Sequence, residues 1–210
     1  MTAAFLRIDA HPHIPARARA IVTMAGLGLL TGLISCVPSP LPDIRWDEPE
    51  ILINARTIPL HAGIAFGAML AGVTWLWLTR DRLKCLLVFA FGLAAWLVAV
   101  NTASEVFSNI VASELFGTKP GAKDNREILG LLVGGLAGGA AGSGLVTFGL
   151  GFATPQIRRM QSALPIVATG TVLGLLLYPA ADLDVLPLLL VPWQTLVAAA
   201  IAYALTLPKT

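Results

Sequence analysis

Residues 128–152 read ILGLLVGGLAGGAAGSGLVTFGLGF: no charge, and nine glycines between Gly130 and Gly151. A helix of that length rises about 37 Å, enough to cross a hydrocarbon core of about 30 Å. In water each helical glycine would cost about 1 kcal/mol relative to alanine, so nine of them imply a return in packing or flexibility. Gly130, Gly134, Gly138 and Gly142 recur every four residues, with Gly135 and Gly139 beside them. That spacing draws a groove along the helix into which a neighbouring backbone can move, with van der Waals contact as the driving force. The stretch predicts a membrane helix at the packing centre of a bundle or of an oligomer. A phosphate-binding loop fails as a competing reading, because there is no Gly-Lys-Ser/Thr and no preceding strand. A dinucleotide fold would need soluble βαβ units.

The remainder of the chain has the same character. Of 210 residues, 56% are apolar and only 12% are charged, and the mean hydropathy is +0.79. A soluble surface needs about 25% charge. These values exclude a disordered chain, a nucleic-acid-binding domain with a basic face and a disulfide scaffold. Six runs are long and apolar enough to cross a bilayer: residues 20–37, 58–79, 83–103, 128–152, 163–178 and 185–207. They are apolar on every side, whereas barrel strands would alternate. The expected fold is an all-α polytopic membrane protein, a compact bundle of about six transmembrane helices. Residues 1–19 form a tail, and residues 38–57 and 104–127 form two long loops on one side.

Basic residues accumulate on the cytoplasmic side of short loops. With the N-terminus inside, the inner segments hold nine basic and two acidic residues, and the outer segments five basic and ten acidic. The clusters Arg80–Lys84 and Arg158–Arg159 both fall inside. The expectation is a bacterial inner-membrane protein with both termini cytoplasmic.

Arg17 and Arg19, the apolar run that follows them, and Leu33-Ile34-Ser35-Cys36 together look like a bacterial lipoprotein signal, in which Cys36 would be lipidated. Five further spans favour a retained first helix, with lipidation as the alternative. Cys36 and Cys85 lie at opposite ends of their spans and cannot pair. His11 and His13 flank Pro12 without further ligands, so no metal site is expected.

Polar groups inside spans are costly in hydrocarbon and mark functional positions. His61, Asn101 and Glu105 fall at one expected depth near the outer surface, and form a possible outer polar cluster. Asp182 and Asp184 lie in a short outer connection. Deeper, Gln194, Thr195, Thr169 and Ser143 form a possible polar path, although hydroxyls of this kind also bond to their own helix backbone. Thr147 and Thr171 belong to the same set. No Asp, Glu, Lys or Arg falls near the expected midplane, which weighs against a proton-coupled carrier or a voltage sensor. Residues 38–57 form a proline-stiffened acidic loop, and 106–116 an apolar stretch suited to the membrane surface.

No arrangement of nucleophile, base and oxyanion donor is present, so the chain is not expected to be an enzyme and no cofactor is expected. The leading expectation is a non-catalytic membrane subunit or scaffold, assembling through its glycine-rich helix faces with a membrane-protein partner or with itself among the lipids. The alternative is a small-solute channel or transporter. Nucleic acid is not an expected partner.

Overall fold

Apolar runs too long for a soluble core, separated by prolines and charges, set the helix boundaries. The structure, a computed structural model, describes residues 12–37, 60–113 and 122–208. Seven α-helices are present among them: α1 (Arg17–Ser35), α2 (Leu60–Val73), α3 (Arg82–Ala112), α4 (Ala122–Ala153), α5 (Met160–Gly174), α6 (Leu177–Asp182) and α7 (Pro187–Leu205). A π-turn at Thr74–Leu78 prolongs α2, and α6 prolongs α5, so six stretches have the length and composition of membrane spans. No strand occurs among the described residues. The protein is an all-α membrane bundle. The expected loop 38–57 and the greater part of the tail 1–19 lie outside the described residues.

Local chemistry ends each helix where the chain must turn. Asp81 accepts hydrogen bonds from the backbone N–H of Leu83 (2.9 Å) and Lys84 (3.4 Å), which caps the start of α3. Pro155 opens the short 3-10 turn Pro155–Arg158, where its missing N–H costs nothing. After α6, Asp184 takes a left-handed backbone (φ 53°). This lets Val185 N bond to Ala180 O at 2.9 Å and Asp184 N to Ala181 O at 3.3 Å, a Schellman closure. Pro179 lacks the N–H that would bond back to Leu175, and the chain breaks between α5 and α6.

The spans pack as a ring in the order α1, α2, α3, α4, α5, α7, closing back on α1. Neighbours run antiparallel throughout. Gly28 lies against Ala198 and Gly32 against Val191; Gly63 lies against Trp96 and Gly67 against Phe89. Along α4, Gly134 faces Ala103 and Gly142 faces Ala95, while Gly139 faces Gly170. One end of the ring therefore collects Arg17, Arg19, Arg80, Arg82, Lys84, Arg158 and Arg159 with Asp81, and the other collects Glu105, Glu127, Asp182 and Asp184 with Arg126. We refer to these as the basic end and the acidic end.

Two boundaries differ from those read in the sequence. α3 has 31 residues and α4 has 32, each about 46 Å long at 1.5 Å per residue. Each is about 15 Å longer than a core of about 30 Å requires, and the length beyond the spans read from the sequence lies mainly at the acidic end. Residues 104–112 thus continue α3, where a loop and a surface-lying stretch were expected, and 122–127 begin α4. Hydropathy marks only the part of a helix that lies in lipid. Phe107 packed on Gly130, and Arg126 bonded to Ser113 O at 2.7 Å, carry the pairing beyond that part.

Candidate functional site: a cavity inside the ring

The two halves of the ring are filled differently. Toward the basic end, Met24, Leu70, Val88, Leu150, Ile166 and Ile201 are almost fully buried and form a continuous apolar core. Toward the acidic end the ring encloses a cavity of about 780 Å³. Its volume lies within the range typical of small-molecule sites.

Five of the six spanning segments contribute to the lining, and Cys36 joins it from the C-cap of α1. α3 supplies Trp96, Val100 and Ala103, α4 supplies Gly135, Gly138 and Val146, and α7 supplies Leu186, Leu189 and Trp193. Phe66 comes from α2 and Gly174 with Leu177 from the α5–α6 segment, while Cys36 and Asp184 lie at the acidic end. The lining is apolar and aromatic, with one carboxylate and no cation. Such a surface suits an uncharged, largely apolar molecule, because an anion would enter without a compensating charge.

Trp193 is a cross-piece in the cavity wall. Its Nε1–H donates to Gly170 O on α5 at 3.1 Å. Its ring lies 5.8 Å from Phe66 of α2, centroid to centroid. A Cβ on Gly142 of α4 would lie 3.7 Å from Trp193 Cζ2. One side chain of α7 thus ties three other helices together inside the ring, and the cavity lining continues past it to Gly92 and Val146. The sequence contained a signal for it: tryptophans favour membrane–water interfaces, and this one lies about 9 Å inside its helix.

The glycine row is consumed within the chain. Gly130, Gly134, Gly138 and Gly142 face α3, where a Cβ on Gly134 would come within 2.7 Å of Ala103 O. Gly135 and Gly139 face α5, and a Cβ on either would run into the carbonyl oxygen of Gly174 or Gly170. α4 therefore presents two small-residue faces, one to each neighbour, and these faces are not open to a second protein. Gly26, Gly72 and Gly144 have open space around them.

Of the possible outer cluster, Asn101 and Glu105 share one face of α3, and each of the three residues takes a different hydrogen-bond partner. His61 Nε2 lies 3.2 Å from Ile34 O of α1, and its Nδ1 is buried without a partner among the described residues. Asn101 donates to Leu97 O within α3 at 2.8 Å, and Glu105 accepts from Asn109 Nδ2 at 3.3 Å. Asn101, Glu105 and Asn109 form one exposed stripe where α3 leaves the hydrocarbon.

The possible polar path is likewise distributed. Ser143 donates to Gly139 O at 2.6 Å, Thr147 to Ser143 O at 2.7 Å, Thr171 to Val167 O at 2.8 Å and Thr195 to Val191 O at 2.7 Å. Thr169 is half-buried on α5, outside the cavity lining. Gln194, 1% exposed, donates to Ser35 Oγ at 2.8 Å and so joins α7 to α1; its Oε1 has no partner among the described residues. Ser35 passes the chain on to Thr31 O at 2.7 Å. These groups fasten helices and satisfy backbones, and none of the four lines the cavity. Cys36 does line it, with Sγ bonded to Gly32 O at 3.1 Å.

No group of three or more His, Cys, Asp or Glu that could hold a metal occurs among the described residues. Comparison with protein-family models, with curated proteins and with solved structures finds no match to this chain.

Proposed function

We propose that this protein is a carrier for an uncharged, largely apolar small molecule, seen with its binding cavity toward the acidic end. The observation that supports this reading is the 780 Å³ cavity, which reaches past Trp193 as far as Gly92 and Val146 and ends against the packed apolar core that holds Val88 and Leu150. An open channel would continue through the ring, and a pure scaffold would have no need of an interior void, which forfeits packing contacts. A subunit role would have to use a surface other than the glycine faces of α4, since α3 and α5 occupy them. We place the basic end in the cytoplasm of a bacterial inner membrane with both termini there, on the strength of its excess of Arg and Lys. α1 is retained in this account, because it closes the ring between α2 and α7.

The test is saturable binding of a neutral aromatic probe, N-phenyl-1-naphthylamine, to the detergent-purified protein. One site per chain is expected. Val100→Trp, which fills the cavity from α3 without facing a glycine contact, is expected to weaken binding at least about tenfold, equivalent to about 1.4 kcal/mol. Binding that does not saturate, or that Val100→Trp leaves unchanged, would contradict the proposal.

A further inference from the structure

A second site lies outside the ring, on the lipid-facing side of α3 and α4 near the basic end. Phe91 of α3 meets Phe148 of α4 edge-on at 5.3 Å and stacks on Phe152 at 5.5 Å with an interplanar angle of 18°. Phe148 and Phe152 contact each other at 5.2 Å and 89°. Gly149 lies beneath the Phe91 ring, which a Cβ at that position would displace. The trio is not core: Phe148 is 60% exposed and Phe152 36% exposed.

A cation caps this aromatic surface on its headgroup side. Arg158 lies over the Phe152 ring at 5.8 Å, and its Nε–H donates to Gly151 O at 2.8 Å, so the guanidinium is fixed at the end of α4. Lys84 is seven residues from Phe91 on α3, two turns toward the basic end on the same face. The surrounding charge is one-sided: among the described residues at this end Asp81 is the sole acid, and its carboxylate already caps α3.

We propose that this surface is a binding site for an anionic phospholipid, with the headgroup phosphodiester between Arg158 and Lys84 and an acyl chain across Phe91, Phe148 and Phe152. The depths agree. Phe152 is one residue from the end of α4, at glycerol level, and Phe148 is one turn deeper, beside the upper acyl chain. A zwitterionic lipid carries its own cation and gains less from Arg158 and Lys84, whereas basic residues at a membrane surface attract anionic lipid. The aromatic rings give the site a demand for a chain that free phosphate cannot meet. The inference does not depend on the carrier reading, since no residue of the lipid surface lines the cavity.

Native mass spectrometry of the delipidated protein, titrated with phosphatidylglycerol or with phosphatidylcholine of the same chains, tests it. About tenfold preferential retention of phosphatidylglycerol is expected, and the double variant Lys84→Gln, Arg158→Gln is expected to lose that preference. Arg19→Gln, at the same end on α1, should leave it intact, and inorganic phosphate at millimolar concentration should not displace the lipid. Equal retention of the two lipids, a preference that survives the double variant, an equal loss with Arg19→Gln, or displacement by phosphate would each overturn the proposal. Hydrogen exchange of the unsubstituted protein provides a readout that needs no variant. Phosphatidylglycerol, and not phosphatidylcholine, should slow exchange in residues 151–160, and absence of that protection would also overturn it.

Discussion

The basic and acidic halves of the ring are built from the same residue types, yet one is solid and the other hollow. In the basic half, Met24, Val88, Leu150, Ile166 and Ile201 meet across the axis, and the helix ends are fastened from outside. Gln156 Nε2 donates to the carbonyls of Ala204 (3.1 Å), Leu205 (3.3 Å) and Leu207 (3.0 Å) at the end of α7. Arg17 bonds to Thr206 O at 3.0 Å and lies over Tyr203. Cations and donors at helix C-termini offset the negative end of the dipole. In the acidic half the cavity-facing positions of α3 and α4 other than Trp96 carry Gly, Ala and Val in place of larger side chains, and both helices are longer than a hydrocarbon core requires. Small residues thus serve two ends: where two helices meet they bring backbones together, and where they face the axis they leave space.

Several substitutions separate these uses. The largest effect is expected where a glycine faces a carbonyl. Gly139→Leu would drive a side chain into Gly170 O of α5, and loss of monodisperse protein on size-exclusion chromatography is expected. Gly26→Leu, with open space around it, should give the same elution profile and yield as the unsubstituted protein. If both variants behave alike, the contacts along α4 do not hold the bundle.

A smaller effect should distinguish core from cavity. Ile166→Ala removes a side chain with 0% exposure from the solid half, and a loss of about 2 kcal/mol is expected, the low end for such truncations because lipid is itself apolar. Leu189→Ala enlarges a space that already exists, and should cost less than about 1 kcal/mol. Thermal unfolding followed by tryptophan fluorescence in one detergent checks the pair. Equal losses would mean that the acidic half is packed as densely as the basic half.

Much of the fold was legible in the sequence because lipid imposes a length and a hydropathy that few other environments demand. The six spans and the sorting of charge to two ends follow from that constraint. The extension of α3 to Ala112 was not legible, since beyond Asn101 the helix is held by its partner α4 and its polarity resembles that of a loop. The cavity was hidden for a different reason. Val100, Leu186 and Leu189 look the same in sequence whether they face lipid, a neighbour or a void, and only closure of the ring distinguishes these cases. The polar residues drew attention by their chemistry, yet Gln194 joins α7 to α1, while Trp193 beside it lines the cavity. A polar atom in hydrocarbon reports that it needs a partner, and here the Gln194 amide nitrogen finds one on a neighbouring helix and Ser143, Thr147, Thr171 and Thr195 on their own backbone.

The cavity reaches the acidic end at Cys36 and Asp184, and in the proposed orientation that end faces away from the cytoplasm. Cys36 lines that cavity and Cys85 lies at the basic end, and both are free thiols. In right-side-out membrane vesicles, a membrane-impermeant maleimide should label Cys36 and not Cys85, and Val100→Trp should slow the Cys36 reaction. Labelling of Cys85 with Cys36 protected, or a Cys36 rate indifferent to Val100→Trp, would contradict the account.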